Sequence, residues 1–131
     1  MKAKIIALTV TLLTLISIQS AGTIYADDDD FCQADYNRAV KGDKNLCNAR
    51  LEKADLHGVD LSDANLQKAE LEDANLQGTN LTNANLQKAD LEGANLKGAK
   101  IDGANFRGAE LGYATWINGK VCAEDSVGSC W

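Results

Sequence analysis

Residues 64–89 read ANLQKAELEDANLQGTNLTNANLQKA, and a leucine stands at every fifth position of this stretch. The same frame extends in both directions, with its apolar centres at Leu46, Leu51, Leu56, Leu61, Leu66, Leu71, Leu76, Leu81, Leu86, Leu91, Leu96, Ile101, Phe106, Leu111, Trp116 and Val121. Two positions before each later centre stands a small residue, usually alanine, from Ala49 to Ala114. Both columns are therefore predicted to be internal.

A five-residue period fits neither of the common elements. Five steps of an α-helix turn the side chain through about 500°, which would scatter the leucines around the helix, and five steps of a flat strand reverse its face each time. A chain that turns a corner after every pentapeptide keeps each central leucine pointing to one axis. The period therefore predicts a solenoid.

The number of corners in one coil follows from a longer period in the surface residues. Residues 66–85 and 86–105 align with twelve identities in twenty. Four pentapeptides per coil give a square cross-section, with neighbouring coils about 4.7–4.9 Å apart as in paired strands. We expect about four coils over residues 46–121.

The form Ala-(Asp/Asn)-Leu-x-x across residues 46–120 closely resembles the pentapeptide-repeat family. The resemblance implies an all-β solenoid, a right-handed quadrilateral β-helix. The departures from the pattern are mild or terminal, at Val59, Thr79 and Trp116. The open ends of such a solenoid expose unpaired backbone and need caps.

The first 26 residues differ from the repeat. Lys2 and Lys4 precede an apolar stretch over residues 5–18, and a short segment ends at Ala26 before four aspartates. This order is typical of a secretory signal peptide cleaved after Ala26, which would leave no membrane segment. A retained membrane anchor is the alternative, although the apolar part is short for a bilayer span. We expect an exported protein of the periplasm or an equivalent compartment outside the cytoplasm.

Four cysteines in a short exported chain predict two disulfides. Cys47 and Cys122 belong to the first and last coils, 75 residues apart, or about 18 Å along the axis. This distance exceeds the reach of a disulfide, about 7 Å between Cα atoms. The predicted pairs are therefore Cys32 with Cys47 and Cys122 with Cys130, one at each end.

The two ends are predicted to form caps. In the acidic N-terminal segment, residues 27–45, the pattern favours a short helix from Asp28 to Gly42 with Cys32, Tyr36 and Val40 on one face. A degenerate half-coil is the alternative. At the other end, residues 122–131 would form a disulfide-closed cap, with both tryptophans closing the last coil rather than binding a ligand.

The outward positions divide into four faces with different charge. The face centred on Leu51 and Leu71, called here the acidic face, is net −5 because Arg50 and Lys53 stand against Glu52, Glu70, Glu72, Asp73, Asp90, Glu92 and Glu110. The adjacent Leu46 face is net +3 from Lys68, Lys88 and Arg107, beside a row of asparagines. The acidic face is the candidate interaction surface. Solubility is the simpler explanation of its charge.

The third face, centred on Leu56, is nearly neutral and carries Gly58, Gly78 and Gly98. Such a flat strip could lie against a partner. Its more direct explanation is that turns with positive φ select glycine.

These patterns predict a non-catalytic interaction or structural module with an unidentified protein partner. The net charge of −6, or −8 after cleavage, disfavours nucleic-acid binding. His57 has no nucleophile in frame with it, and the repeated carboxylates lack the differing environments of an acid–base pair, so we expect no enzyme and no cofactor. Neither cysteine pair has zinc-finger spacing and His57 stands apart from the cysteines, so we expect no metal site. Weak calcium binding by the carboxylates lacks EF-hand spacing. The resemblance offers one alternative, a DNA mimic that binds type II topoisomerases, which the export signal and short solenoid disfavour.

Overall fold

A computed structural model describes residues 32–131 of the chain. The predicted signal peptide and the first residues of the acidic segment lie outside the described residues. Within residues 32–131, no helix has the length and apolar character that crossing a membrane requires.

Helix α1, Gln33–Val40, lies before the first coil. Cys32 occupies its N-cap position, and Asp35 in the first turn and Arg38 in the last turn suit the helix dipole. The helix ends before Gly42, which has φ +81°. A helical cap is thus confirmed over Gln33–Val40, whereas the predicted start at Asp28 lies outside the described residues. Its contact residues are buried Ala39 and half-buried Tyr36, whereas Val40 is exposed.

The repeat forms coils of twenty residues. Parallel bridges join residues twenty apart, as in Asn65 with Asn85 and Glu70 with Asp90. Each coil meets the next through one such pair on each of four faces, with hydrogen bonds such as Leu66 N to the Asn85 carbonyl at 2.8 Å. Because each pairing is a single bridge, the described repeat is built from corners rather than from extended strands.

The corner after each central residue is a tight turn. Ala89 N donates to the Leu86 carbonyl at 3.0 Å, and Lys88 between them takes φ +58°. Asparagine, aspartate or lysine occupies this left-handed position at seven of the fourteen corners from Asn48 to Tyr113, and glycine occupies it at six. Asparagine and aspartate lower the cost of this conformation because their short side chains can hydrogen-bond locally. The five-residue period is therefore the period of this turn.

The core is a stack of leucines lined by alanines, as predicted. Every central leucine from Leu46 to Leu111 is fully buried. Burying each leucine contributes about 1.5–3 kcal/mol. Thr79, which replaces an alanine, is also buried and donates its hydroxyl to the Leu56 carbonyl at 2.7 Å. This hydrogen bond explains how the column accepts a polar residue.

The N-terminal end is closed by backbone and carboxylate contacts. Cys32 N donates to the Arg50 carbonyl at 3.2 Å, and Arg50 N donates to Asp35 Oδ2 at 2.9 Å. These bonds attach the start of α1 beside Arg50 on the acidic face, whereas Cys47 lies on the Leu46 face. Both Cys32 and Cys47 are free thiols. The predicted Cys32–Cys47 disulfide is therefore wrong, because the helix is anchored at the next face.

The C-terminal end is closed differently. Phe106 and Trp116 pack edge to face with ring centroids 5.3 Å apart. After Trp116 the chain reverses at Gly119, and Val121 pairs antiparallel with Thr115. The predicted internal position of Val121 is wrong, because this reversal ends the frame and leaves Val121 58% exposed.

The predicted disulfide at this end is present. Cys122 and Cys130 are bonded, and Cys122 is buried. Between them Val127 pairs antiparallel with Glu110. The cap therefore adds one antiparallel bridge to the acidic face and one to the Leu56 face.

Candidate functional site

The acidic face consists of side-chain rows that run along the solenoid axis. The residues before the central leucines form one row, Arg50, Glu70, Asp90 and Glu110, and their backbones are bridged in sequence. The residues after the leucines form a second row with Glu52, Glu72 and Glu92, and Asp73 lies at the following corner. Because the backbone ladder fixes the spacing, these charges are held at about 4.8 Å intervals.

Three predicted site residues meet in the middle of this face. Glu72, Asp90 and Glu92 each place one carboxylate oxygen so that all three lie within 4.8 Å of one another. Asp90 is held by its Oδ1, which accepts a hydrogen bond from Glu92 N at 3.0 Å. Glu70, Glu72, Asp73, Glu92 and Glu110 are exposed, and Asp90 is half-buried. The arrangement concentrates negative charge and offers oxygen atoms to a cationic group.

Glu52 is the exception, because its side chain is buried with only 4% of the residue exposed. Its Oε2 atom has no hydrogen-bond partner within residues 32–131. Burial, together with a hydrogen bond and charge repulsion from Glu70, raises the pKa of Glu52 to about 7. The expectation that Glu52 belongs to the exposed acidic face is therefore corrected.

Arg50 explains part of this local arrangement. Its Nε lies 3.9 Å from Glu52 Oε1 and 3.7 Å from Glu70 Oε2, so one cation approaches both carboxyl groups. Arg50 is also a basic residue in a row whose later members are acidic. This difference in the sequence distinguishes the first coil from the later ones. Charge counting by face alone could not show that a carboxylate turns inward.

The Leu46 face carries a contrasting row of amides. Asn105 Nδ2 donates to Asn85 Oδ1 at 3.2 Å, and Asn85 Nδ2 is 3.5 Å from Asn65 Oδ1. The Oδ1 of Asn85 also accepts from Gln87 N at 3.2 Å. These side chains are used to hold neighbouring coils together, so this row has a structural role.

The glycines of the Leu56 face have positive φ as expected, for example +66° at Gly78. However, Lys68 and Lys88 take φ of +56° and +58° at the equivalent corner of another face. A Cβ on Gly58, Gly78 or Gly98 would meet nothing within 4 Å. The turn therefore accepts glycine here without requiring it.

The fold and the surface together define a class of protein, a four-faced repeat solenoid whose polar rows lie outside and whose leucines fill the interior. The family model for pentapeptide repeats matches residues 45–78 and 74–112 with eight copies. The chain belongs to the pentapeptide-repeat family, which implies the right-handed quadrilateral β-helix. Proteins of this family are generally non-catalytic.

Solved structures of pentapeptide repeat proteins are similar to parts of this chain. Rfr23 from the cyanobacterium Cyanothece 51142 is 52% identical, over 41% of this chain and 37% of that one, with a TM-score of 0.41. HetL from Nostoc sp. strain PCC 7120, described as involved in heterocyst differentiation regulation, is 30% identical over 59% of this chain and 46% of that one, with a TM-score of 0.46. In both cases the match spans less than half of the solved protein. The comparison with curated proteins found no match.

Proposed function

We propose that this protein is a non-catalytic interaction module that works outside the cytoplasm and presents its acidic face to a cationic partner protein. The observation that supports this most directly is the cluster of Glu72, Asp90 and Glu92, with carboxylate oxygens within 4.8 Å of one another on a fixed backbone. Like charges this close repel one another, and a partner's lysine or arginine groups would relieve that repulsion.

The rigidity of the solenoid makes the acidic face suited to recognition. Glu70, Asp90 and Glu110 follow one another at the bridged positions of successive coils. A partner that binds this row does not have to order it first, so less conformational entropy is lost on association. In a rod of about four coils the row would match basic side chains that repeat at a similar spacing.

Location outside the cytoplasm is supported by two features of the chain. Lys2 and Lys4 precede an uncharged apolar segment that ends near Ala26, in the order of an export signal. The Cys122–Cys130 disulfide suits an oxidising compartment.

The test is cross-linking in fractionated cells that produce the full chain. The variant Glu72→Lys/Glu92→Lys reverses two exposed charges of the acidic face. The matched control, Asp63→Lys/Asp102→Lys, makes the same charge change at exposed positions away from that face. Lysine is compatible with the positive φ of residue 63, since Lys68 has the same conformation.

The proposal expects wild type and control to be recovered outside the cytoplasm with the same cross-linked proteins. The acidic-face variant should lose those with basic surfaces. Recovery of the full chain in the cytoplasm would overturn the proposed location. An unchanged set of cross-linked proteins in the acidic-face variant would overturn the proposed surface.

A further inference from the structure

The C-terminal end of the solenoid has an edge whose backbone groups can be counted. In the middle of the rod each face directs three groups towards the next coil. Leu86 N donates to the Asn105 carbonyl at 2.8 Å, Lys88 N donates to the Arg107 carbonyl at 3.0 Å, and the Ala84 carbonyl accepts from Asn105 N at 2.9 Å. In the last coil the corresponding groups are the N–H of each central residue, the N–H of the corner residue two positions later, and the carbonyl of the small residue before the centre. Each of the four faces therefore has three groups directed towards a next coil.

The C-terminal cap supplies partners on two faces. On the acidic face Leu111 N donates to the Ser126 carbonyl and Gly128 N donates to the Ala109 carbonyl, both at 2.8 Å. On the Leu56 face Trp116 N donates to the Lys120 carbonyl at 2.7 Å. The cap thus closes these two faces with short antiparallel segments.

The other two faces, centred on Ile101 and Phe106, have no such cover. The N–H groups of Ile101 and Phe106 and the carbonyls of Ala99 and Ala104 have no hydrogen-bond partner among residues 32–131. We call residues 99–106 the open edge. Ile101 and Ala104 are half-buried, whereas the leucine and alanine one coil earlier are fully buried.

The open edge is an L-shaped step beside the cap. Gly128 borders it, since a Cβ at Gly128 would lie 3.4 Å from the Phe106 carbonyl oxygen. Because the cap rises about one strand spacing above the last coil on the neighbouring faces, the coil of a second copy stacked on this end would meet the cap first. A single segment that turns the corner between the Ile101 and Phe106 faces, as each coil does, fits the step.

Charge identifies the kind of segment. Lys100 and Arg107 are exposed on either side of the open edge, and the Cγ of Lys88 lies 3.5 Å from where a Cβ of Gly108 would be. Asp102 is the acid in this region. A lysine on an edge discourages pairing with a like chain, while three basic groups against one acid favour an acidic strand.

We propose that the open edge binds an acidic segment of a partner protein, which pairs with both faces and turns the corner between them. The backbone of the segment would pair with Ile101, Phe106, Ala99 and Ala104, which is the mode by which exposed sheet edges capture peptides. Its carboxylates would lie near Lys100 and Arg107. This surface is separate from the acidic face, and the partner has the opposite charge.

The direct test measures amide hydrogen exchange in the protein with a synthetic acetylated hexapeptide of valine and aspartate whose fourth residue is glycine, which lets the peptide turn the corner. We expect protection of the Ile101 and Phe106 amides, with little change at Leu111, whose N–H is already bonded. A peptide N-methylated at alternate amides should not protect them. No protection by the first peptide, or equal protection by the methylated one, would overturn strand addition.

Two charge variants test the side chains. Lys100→Glu/Arg107→Glu should weaken hexapeptide binding about tenfold, because two attractive contacts become repulsive. Lys97→Glu/Lys120→Glu makes the same change on the Leu56 face, whose edge is covered, and should leave binding near wild type. Melting curves of both variants check folding. Equal binding by both, or equal binding of a valine–lysine hexapeptide, would overturn the acidic segment.

Two further outcomes separate this proposal from its alternatives. Glu72→Lys/Glu92→Lys should bind the hexapeptide normally, so failure of the acidic-face proposal leaves this one standing. If Ile101 and Phe106 become protected without peptide as protein concentration rises, a second copy occupies the edge and the proposal is wrong.

Discussion

Both ends of the solenoid must be capped, and the two caps use different interactions. The N-terminal end uses α1, backbone contacts to Arg50 and a buried carboxyl group, Glu52. The C-terminal end uses an aromatic pair and the Cys122–Cys130 disulfide. The repeat makes the interior coils alike, but it does not specify how the solenoid ends. The N-terminal end should therefore respond to pH and the C-terminal end to reduction.

The largest effect is expected between the ends, where neither cap helps. Leu86→Ala removes a fully buried side chain from a coil with neighbours on both sides, and it should cost about 2–5 kcal/mol. The measurement is urea unfolding, and Lys88→Ala on the exposed corner is the control. A urea midpoint like that of wild type would contradict the packed leucine stack.

The disulfide gives the next largest effect. Cys122→Ala/Cys130→Ala should lower the free energy of unfolding by about 2.5 kcal/mol, the loop-closure value for a separation of eight residues. Cys32→Ala/Cys47→Ala, at free thiols, should change stability by less than about 0.5 kcal/mol. Equal losses in both double variants would show that the N-terminal cysteines are bonded in solution.

The pH response belongs to the N-terminal end. Because the folded-state pKa of Glu52 is about 7 and its usual value is 4.5, the unfolded chain releases this proton first as the pH rises. The free energy of unfolding should therefore fall between about pH 4.5 and pH 7, by on the order of 2 kcal/mol, and then level off.

Urea unfolding at about pH 5 and pH 8 measures this response, with two variants for comparison. Glu52→Gln should lose it and be more stable than wild type at the higher pH. Glu72→Gln, one coil away on the exposed surface, should keep it. A response retained in Glu52→Gln would assign the titration to another group.

The smallest effects compare one glycine at each end. A Cβ at Gly112 would lie 2.5 Å from the Glu124 carbonyl oxygen, and Gly112→Ala should displace the C-terminal cap at a cost of about 1–2 kcal/mol. Gly42, with φ +81° and open space around it, should accept asparagine at a cost below about 0.5 kcal/mol. Melting temperatures check both variants. A larger loss of stability in Gly42→Asn than in Gly112→Ala would contradict this prediction.

The interior of the fold was predictable because the five-residue period is a local property of the turn. Leu46 through Leu111 lie where that period predicts. The ends were less predictable. Val121 continues the five-residue frame in the sequence, but the chain reverses at Gly119 and Val121 pairs antiparallel with Thr115. Likewise, the spacing of Cys32 and Cys47 could not reveal which face anchors the helix.

The candidate site was predictable only as a distribution of charge. Sorting residues by face brought Glu72, Asp90 and Glu92 together correctly. The same sorting placed Glu52 outside, because it treats every carboxylate as solvated and cannot show that this side chain is buried. The open edge has no side-chain signature at all, since it consists of backbone groups left over when the frame ends.

The twenty-residue coil also determines which changes of length the molecule can absorb. Each row on the surface consists of residues that are twenty positions apart in the sequence, as in Asn65, Asn85 and Asn105. Inserting a copy of residues 66–85 would lengthen all four faces and leave the composition of each in register, whereas inserting five, ten or fifteen residues would rotate one part of the surface against the other. Inserting or deleting whole coils would therefore change the length of the solenoid without changing the pattern of residues on its faces.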